Sequence, residues 1–67
     1  MSDIKAIYPI TNNMALSIVE CNDEYVTYID PLQKKHIVRV YTDGNRAYFR
    51  CYEMRGKRIY LDECLRV

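Results

Sequence analysis

The sequence predicts an all-β protein of short antiparallel strands, and three observations carry that prediction. Period-two alternation of β-branched and aromatic residues recurs along the chain, as from Arg46 to Tyr52. No stretch sustains the period of an amphipathic helix. Turn signals cut the alternating runs at Thr11 to Asn13, Asn22-Asp23, Pro31, Asp43-Gly44 and Arg55-Gly56.

Taken in order, the loop Thr11, Asn12, Asn13 places Ile10, Tyr8 and Ala6 beside Met14, Leu16 and Ile18 on one face. Pro9, which has no amide hydrogen, marks the first strand as an edge strand. A turn at Asn22 and Asp23 returns the chain through Tyr25 to Asp30, with Thr27 and Ile29 inward. Pro31 to Lys34 then reads as the connector between two sheets, because proline ends ladder pairing and polar residues follow it.

The segment from Lys35 to Tyr52 is interrupted by Asp43-Gly44, a dipeptide favoured in two-residue type I′ turns. That turn sets Thr42 against Asn45, Val40 against Ala47, Val38 against Phe49 and His36 against Cys51. The reverse face then holds Tyr41 against Arg46, Arg39 against Tyr48, Ile37 against Arg50 and Lys35 against Tyr52. A three-residue loop at Met54, Arg55 and Gly56 continues the sheet, pairing Cys51 with Ile59 and Phe49 with Leu61 inside. Outside, it pairs Tyr52 with Arg58, Arg50 with Tyr60 and Tyr48 with Asp62. Both turns select one inward set: Val38, Val40, Ala47, Phe49, Cys51, Ile59 and Leu61.

Beyond Leu61, residues Asp62 to Leu65 fit a short helical turn with Asp62 as its cap and Leu65 closing the core, or a continuation of the strand. Five or six strands in 67 residues fit a small SH3-like barrel or two orthogonally packed sheets. The length allows one domain with a thin core. Within it, residues 1–30 form acidic N-terminal strands, 31–34 the connector and 35–67 a basic three-stranded sheet.

The net charge of +1 hides an asymmetry: residues 1–33 carry one lysine against five carboxylates, and residues 34–67 carry nine cations against four. An anionic partner, or self-association of opposite halves, would use that split. No run reaches the roughly 18 apolar residues of a membrane span, and Met1 to Lys5 lack the basic start and apolar core of a leader. The expected location is the cytoplasm. Cys21, Cys51 and Cys64 form no CxxC pair and read as reduced, buried small hydrophobes. One histidine among scattered cysteines has no zinc-module spacing, and Asp23-Glu24 offers too few oxygens for a cation, so no metal or cofactor is expected.

Catalysis is not expected either. Both glycines serve turns, which leaves no phosphate-cradling loop, and a His36–Cys51 pair would lack a third orienting group. The prediction is a non-enzymatic interaction protein. Its candidate binding residues are the Arg/Tyr sheet face and its rim: Lys35, Arg39, Tyr41, Arg46, Tyr48, Arg50, Tyr52, Arg55, Arg58 and Tyr60. Arginine offers forked donors and tyrosine rigid area at low entropy cost, the residue types enriched at binding hot spots. An acidic protein surface is the first expected partner, with this chain acting as accessory factor or inhibitor of a larger protein. Phages and mobile elements often use small proteins in that way, an association that rests on size and on no motif. Nucleic acid is the alternative, since tyrosines stack on bases and arginines meet phosphates, although a pI near 7.7 is low for that role. Self-assembly is the third reading. The same Arg/Tyr ladder also has a purely structural use, because cross-strand pairs contribute about 0.2–1 kcal/mol each and exposed cation–π contacts about 0.5–1 kcal/mol.

Overall fold

The computed structural model describes residues 4–67. Met1, Ser2 and Asp3, which bear on the leader question and the charge count, lie outside the described residues. Eight short strands follow one another along the chain: β1 (Ala6–Pro9), β2 (Ala15–Cys21), β3 (Tyr25–Ile29), β4 (Lys35–Arg39), β5 (Tyr41–Asp43), β6 (Arg46–Cys51), β7 (Lys57–Tyr60) and β8 (Leu65–Arg66). They form two antiparallel sheets, a larger one in the order β4-β3-β2-β1-β8 and a smaller one in the order β5-β6-β7. Among the described residues neither sheet closes on itself. Of the two expected architectures the paired sheets form, therefore, and the SH3-like barrel does not. The core lies between the sheets, where Leu16, Ile18, Val26 and Tyr28 of the larger meet Phe49, Cys51 and Ile59 of the smaller.

The first hairpin has the register that its sequence predicts. Ala6 faces Ile18, Tyr8 faces Leu16, and the Ile10 amide donates to the Met14 carbonyl at 2.8 Å. Pro9 does not mark an edge, because β8 pairs with β1 at Ala6 and Ile7 and itself becomes the edge strand. Proline is tolerated there because it lies past the end of that pairing.

Between β2 and β3 the expected inward pair is reversed: Val26 and Tyr28 are buried, while Thr27 and Ile29 face outward. The cause is a bulge at Val19. Cys21 and Glu20 pair with Val26 and Thr27, but Ile18 and Ser17 pair with Tyr28 and Ile29. One residue without a partner switches which set of alternating side chains faces the core.

Pro31 to Lys34 is a turn inside the larger sheet, not a connector between sheets. Asp30 makes it, since its Oδ1 accepts the amides of Leu32 and Lys34, each at 2.9 Å, while Gln33 takes a left-handed φ of +67°. The chain therefore folds straight back, and β4 pairs with β3, setting Tyr28 beside His36 and Thr27 beside Ile37. The expected pairing of Lys35 to Arg39 with the 46–52 strand does not form. Val40 makes the crossing: its amide still donates to the Glu24 carbonyl, in the turn before β3, at 2.8 Å, and the next residue begins β5. Splitting this run into β4 and β5 and adding β8 raises the strand count from five or six to eight, and confines the smaller sheet to residues 41–60.

In the smaller sheet both hairpins are slipped by two residues from the expected register. Gly44 (φ +64°) and Asn45 form the first turn, so Asp43 faces Arg46, Thr42 faces Ala47 and Tyr41 faces Tyr48. A positive φ at the first central position is the glycine site of a type II′ turn. At the second hairpin the loop is longer than three residues. Tyr52–Met54 form a 3-10 turn, Arg55 is left-handed at φ +59° and Gly56 follows at φ +78°. Tyr48 then faces Tyr60, Phe49 faces Ile59 and Arg50 faces Arg58. A slip of two preserves alternation, so Phe49, Cys51 and Ile59 are buried as expected, with Val38, Val40 and Leu61 packed against them.

The helical turn near the C-terminus spans Leu61–Glu63, with Tyr60 and not Asp62 in the capping position. Cys64 closes that end of the core, whereas Leu65 is 63% exposed.

Candidate functional site

The ten candidate residues are divided among three places. Lys35 and Arg39 lie on the outer face of the larger sheet, Tyr52 and Arg55 at the β6–β7 tip, and the other six on the outer face of the smaller sheet.

On the smaller sheet the Arg/Tyr ladder is closed upon itself. Tyr41, Tyr48 and Tyr60 face one another across three strands, with ring centroids 5.7 and 5.3 Å apart. Arg46 lies over Tyr60 at 3.9 Å and Arg58 over Tyr48 at 4.6 Å. Both guanidinium groups also meet acids. Arg46 grips Asp62 through Nε and Nη2 at 2.8 and 2.9 Å and reaches Glu63 at 3.1 Å, while Arg58 meets Asp43 at 3.3 Å. The Arg46 fork holds the Asp62 carboxyl below the usual carboxylate range. Tyr48 is consequently only 6% exposed although it sits on an outer face. Arg50 stands opposite Arg58 without a carboxylate among the described residues, and Tyr52 at the tip is 84% exposed.

The outer face of the larger sheet has the opposite character. Pairing across five strands sets Leu65, Ile7, Ser17, Ile29 and Lys35 in one row, and Thr27 beside Ile37 in the next. Ile37 is 67% exposed and Leu65 63%, while Ile7, Ser17, Thr27 and Ile29 between them are half-buried. Lys35 and Arg39 flank Ile37 on the same face of the edge strand, and among the described residues neither meets a carboxylate.

A third cluster escapes the sequence because its members lie on separate elements: Asp30 after β3, His36 on β4 and Glu53 on the 3-10 turn after β6. The Nε2 of His36 is 2.9 Å from Asp30 Oδ2 and 2.8 Å from Glu53 Oε2. Asp30 is 3% exposed, and its carboxyl is held below the ordinary range by the His36 bond first and the Lys34 amide next. Burial acts to raise Glu53, yet the Tyr28 hydroxyl, donating to Oε1 at 2.8 Å, and neighbouring donors bring it down. Tyr28 also stacks on the His36 ring at 4.9 Å and 19°. The expected His36–Cys51 pair is not formed: the Cys51 sulfur is 3.6 Å from Glu53 Oε1 and 3.9 Å from the Tyr28 hydroxyl. The signal for this cluster is the Asp-Pro turn at 30–31, which folds β4 onto β3 and brings His36 back to Asp30.

Burial pushes the Cys51 thiol up and the Cys64 thiol up to about 11, whereas Cys21, expected to be buried, is exposed, its thiol raised by partial desolvation and by Asp23. All three thiols are free and stay protonated near neutrality.

Comparison with protein families, with curated proteins and with solved structures finds no match for this chain.

Proposed function

We propose that this chain is a small, non-enzymatic cytoplasmic docking protein that receives an acidic protein surface on the outer face of its larger sheet. The observation that carries the reading is the exposed Ile37 on the edge strand β4, with Lys35 and Arg39 beside it on the same face. Burying exposed apolar surface such as Ile37 against a partner is favourable at about 25 cal/mol per Å². The two cations without carboxylates favour a partner that brings acids to the rim, which adds specificity and speeds association. Arg46 and Arg58 of the smaller sheet are less available, because docking would first have to break their bonds to Asp62, Glu63 and Asp43. Their tyrosines stack on one another and on those arginines, which also lowers support for an oligonucleotide partner. Action as an accessory factor or inhibitor of a larger protein follows from occupying that protein's surface.

Site-specific photocrosslinking and affinity capture from host extract test the reading. A crosslinker at position 37 should join one acidic protein, and Ile37→Asp or the pair Lys35→Glu, Arg39→Glu should abolish capture with the fold intact by circular dichroism. Arg50→Glu should leave capture unchanged. Loss of capture with Arg50→Glu but not with Ile37→Asp would move the interface to the smaller sheet and defeat the proposal. A crosslink to a second copy would replace it with self-assembly.

A further inference from the structure

We infer that Asp30, His36 and Glu53 form a binding site for one divalent transition-metal cation of the zinc class. The inference begins with a proton count. His36 Nε2 carries at most one hydrogen, yet two carboxylate oxygens approach it at 2.9 and 2.8 Å. One N–H cannot point at both. A cation in place of that proton would meet all three atoms, which lie within 4.8 Å of one another. Zinc–nitrogen and zinc–oxygen distances of about 2.0–2.2 Å ask for ligand separations only a few tenths of an ångström wider than those to His36.

The surroundings orient these groups as an outer shell does in metal sites. Each carboxylate has one oxygen held elsewhere and the other left for the shared point. Asp30 Oδ1 accepts the Leu32 and Lys34 amides, which leaves Oδ2. Glu53 Oε1 accepts the Tyr28 hydroxyl, which leaves Oε2. Stacking on Tyr28 fixes the plane of the His36 ring. Such partners set ligand orientation. One imidazole and two carboxylates suit zinc, cobalt or nickel better than calcium or magnesium, which prefer all-oxygen sites. Asp30 and Glu53 also border a cleft of about 340 Å³ walled by Ile10, Met14, Leu32 and Met54, which gives a cation a way in and leaves room for water as a remaining ligand. Because Asp30 and His36 belong to the β3–β4 hairpin and Glu53 to the 3-10 turn after β6, the cation would join the two sheets.

Titration of the chelator-stripped full chain with Zn²⁺ by calorimetry, and with Co²⁺ by absorption, tests the site. The expected result is one ion per chain, with Co²⁺ bands that lack thiolate charge transfer. Glu53→Gln, which keeps the Tyr28 bond, should weaken Zn²⁺ binding more than 100-fold, and Tyr28→Phe about 10-fold, as for other outer-shell partners. His36→Gln should match Glu53→Gln if it folds, and Cys21→Ser should change nothing. Absence of Zn²⁺ binding, wild-type affinity in folded Glu53→Gln, or a thiolate band with Co²⁺ would each overturn the inference.

Discussion

The outer faces of the two sheets divide the protein's surface chemistry between them. On the smaller sheet every tyrosine has an aromatic neighbour, and two of three arginines have both a ring and an acid. The larger sheet leaves isoleucine, leucine and two cations without such partners. The difference teaches that residue type does not define a docking surface. Arginine and tyrosine are enriched at interfaces because they make many contacts, and the same capacity lets them saturate one another within a sheet. The face with spare valence is the plainer one.

The sharpest way to break this comparison is to remove one side chain from each face. Tyr48→Ala should destabilise the fold by about 3 kcal/mol, since it deletes a nearly buried ring and the aromatic centre of the ladder. Ile37→Ala should stay within about 0.5 kcal/mol in the isolated chain, as surface changes do. Urea denaturation of both variants measures the contrast, and equal losses would show that the larger sheet's face is also structural.

A weaker effect concerns the Arg46–Asp62 fork. Asp62 is depressed first by the Arg46 hydrogen bond, so its contribution to folding is complete above the ordinary carboxylate range. That contribution drains away as pH falls through the folded value. The stability gap between wild type and Arg46→Gln should therefore be open at neutral pH and close in acid. It should also shrink in 0.5 M NaCl, because the pair is exposed and screened. A gap indifferent to both would mean that Arg46 acts only through its stacking on Tyr60.

Modest stabilising effects are expected at Gln33 and Arg55, the left-handed non-glycine residue in a hairpin of each sheet. Replacing either with glycine relieves the Cβ penalty at the cost of extra freedom in the unfolded chain. Thermal unfolding should register a gain of about 0.5–1 kcal/mol for each. Destabilisation by Gln33→Gly would show that the Asp30 turn depends on the glutamine side chain.

Much of the inward-facing set was legible because alternation survives an even slip. Both hairpins of the smaller sheet are displaced by two residues, and Phe49, Cys51 and Ile59 face the core regardless. An odd slip is invisible to the same reasoning, which is why the Val19 bulge reversed Thr27 and Val26. Strand partnership was the second blind spot. The alternating run Lys35 to Arg39 can lie equally well beside β3 or β6, and only the amides gathered by Asp30 decide between them. With that pairing misplaced, the outward placement of Ile37 on an edge strand and the carboxylates around His36 were both out of sight, since each needs β4 beside β3.

The crossing at Val40 gives the molecule no slack. No residue separates the last amide bonded back toward β3, that of Val40, from the first residue of the smaller sheet, so neither sheet can swing away on a hinge while the other stays folded. Opening must be shared, and amides on Tyr28 and Phe49 should exchange with solvent at one common rate set by global unfolding. A partner held at β4 would therefore slow exchange in the sheet it never touches.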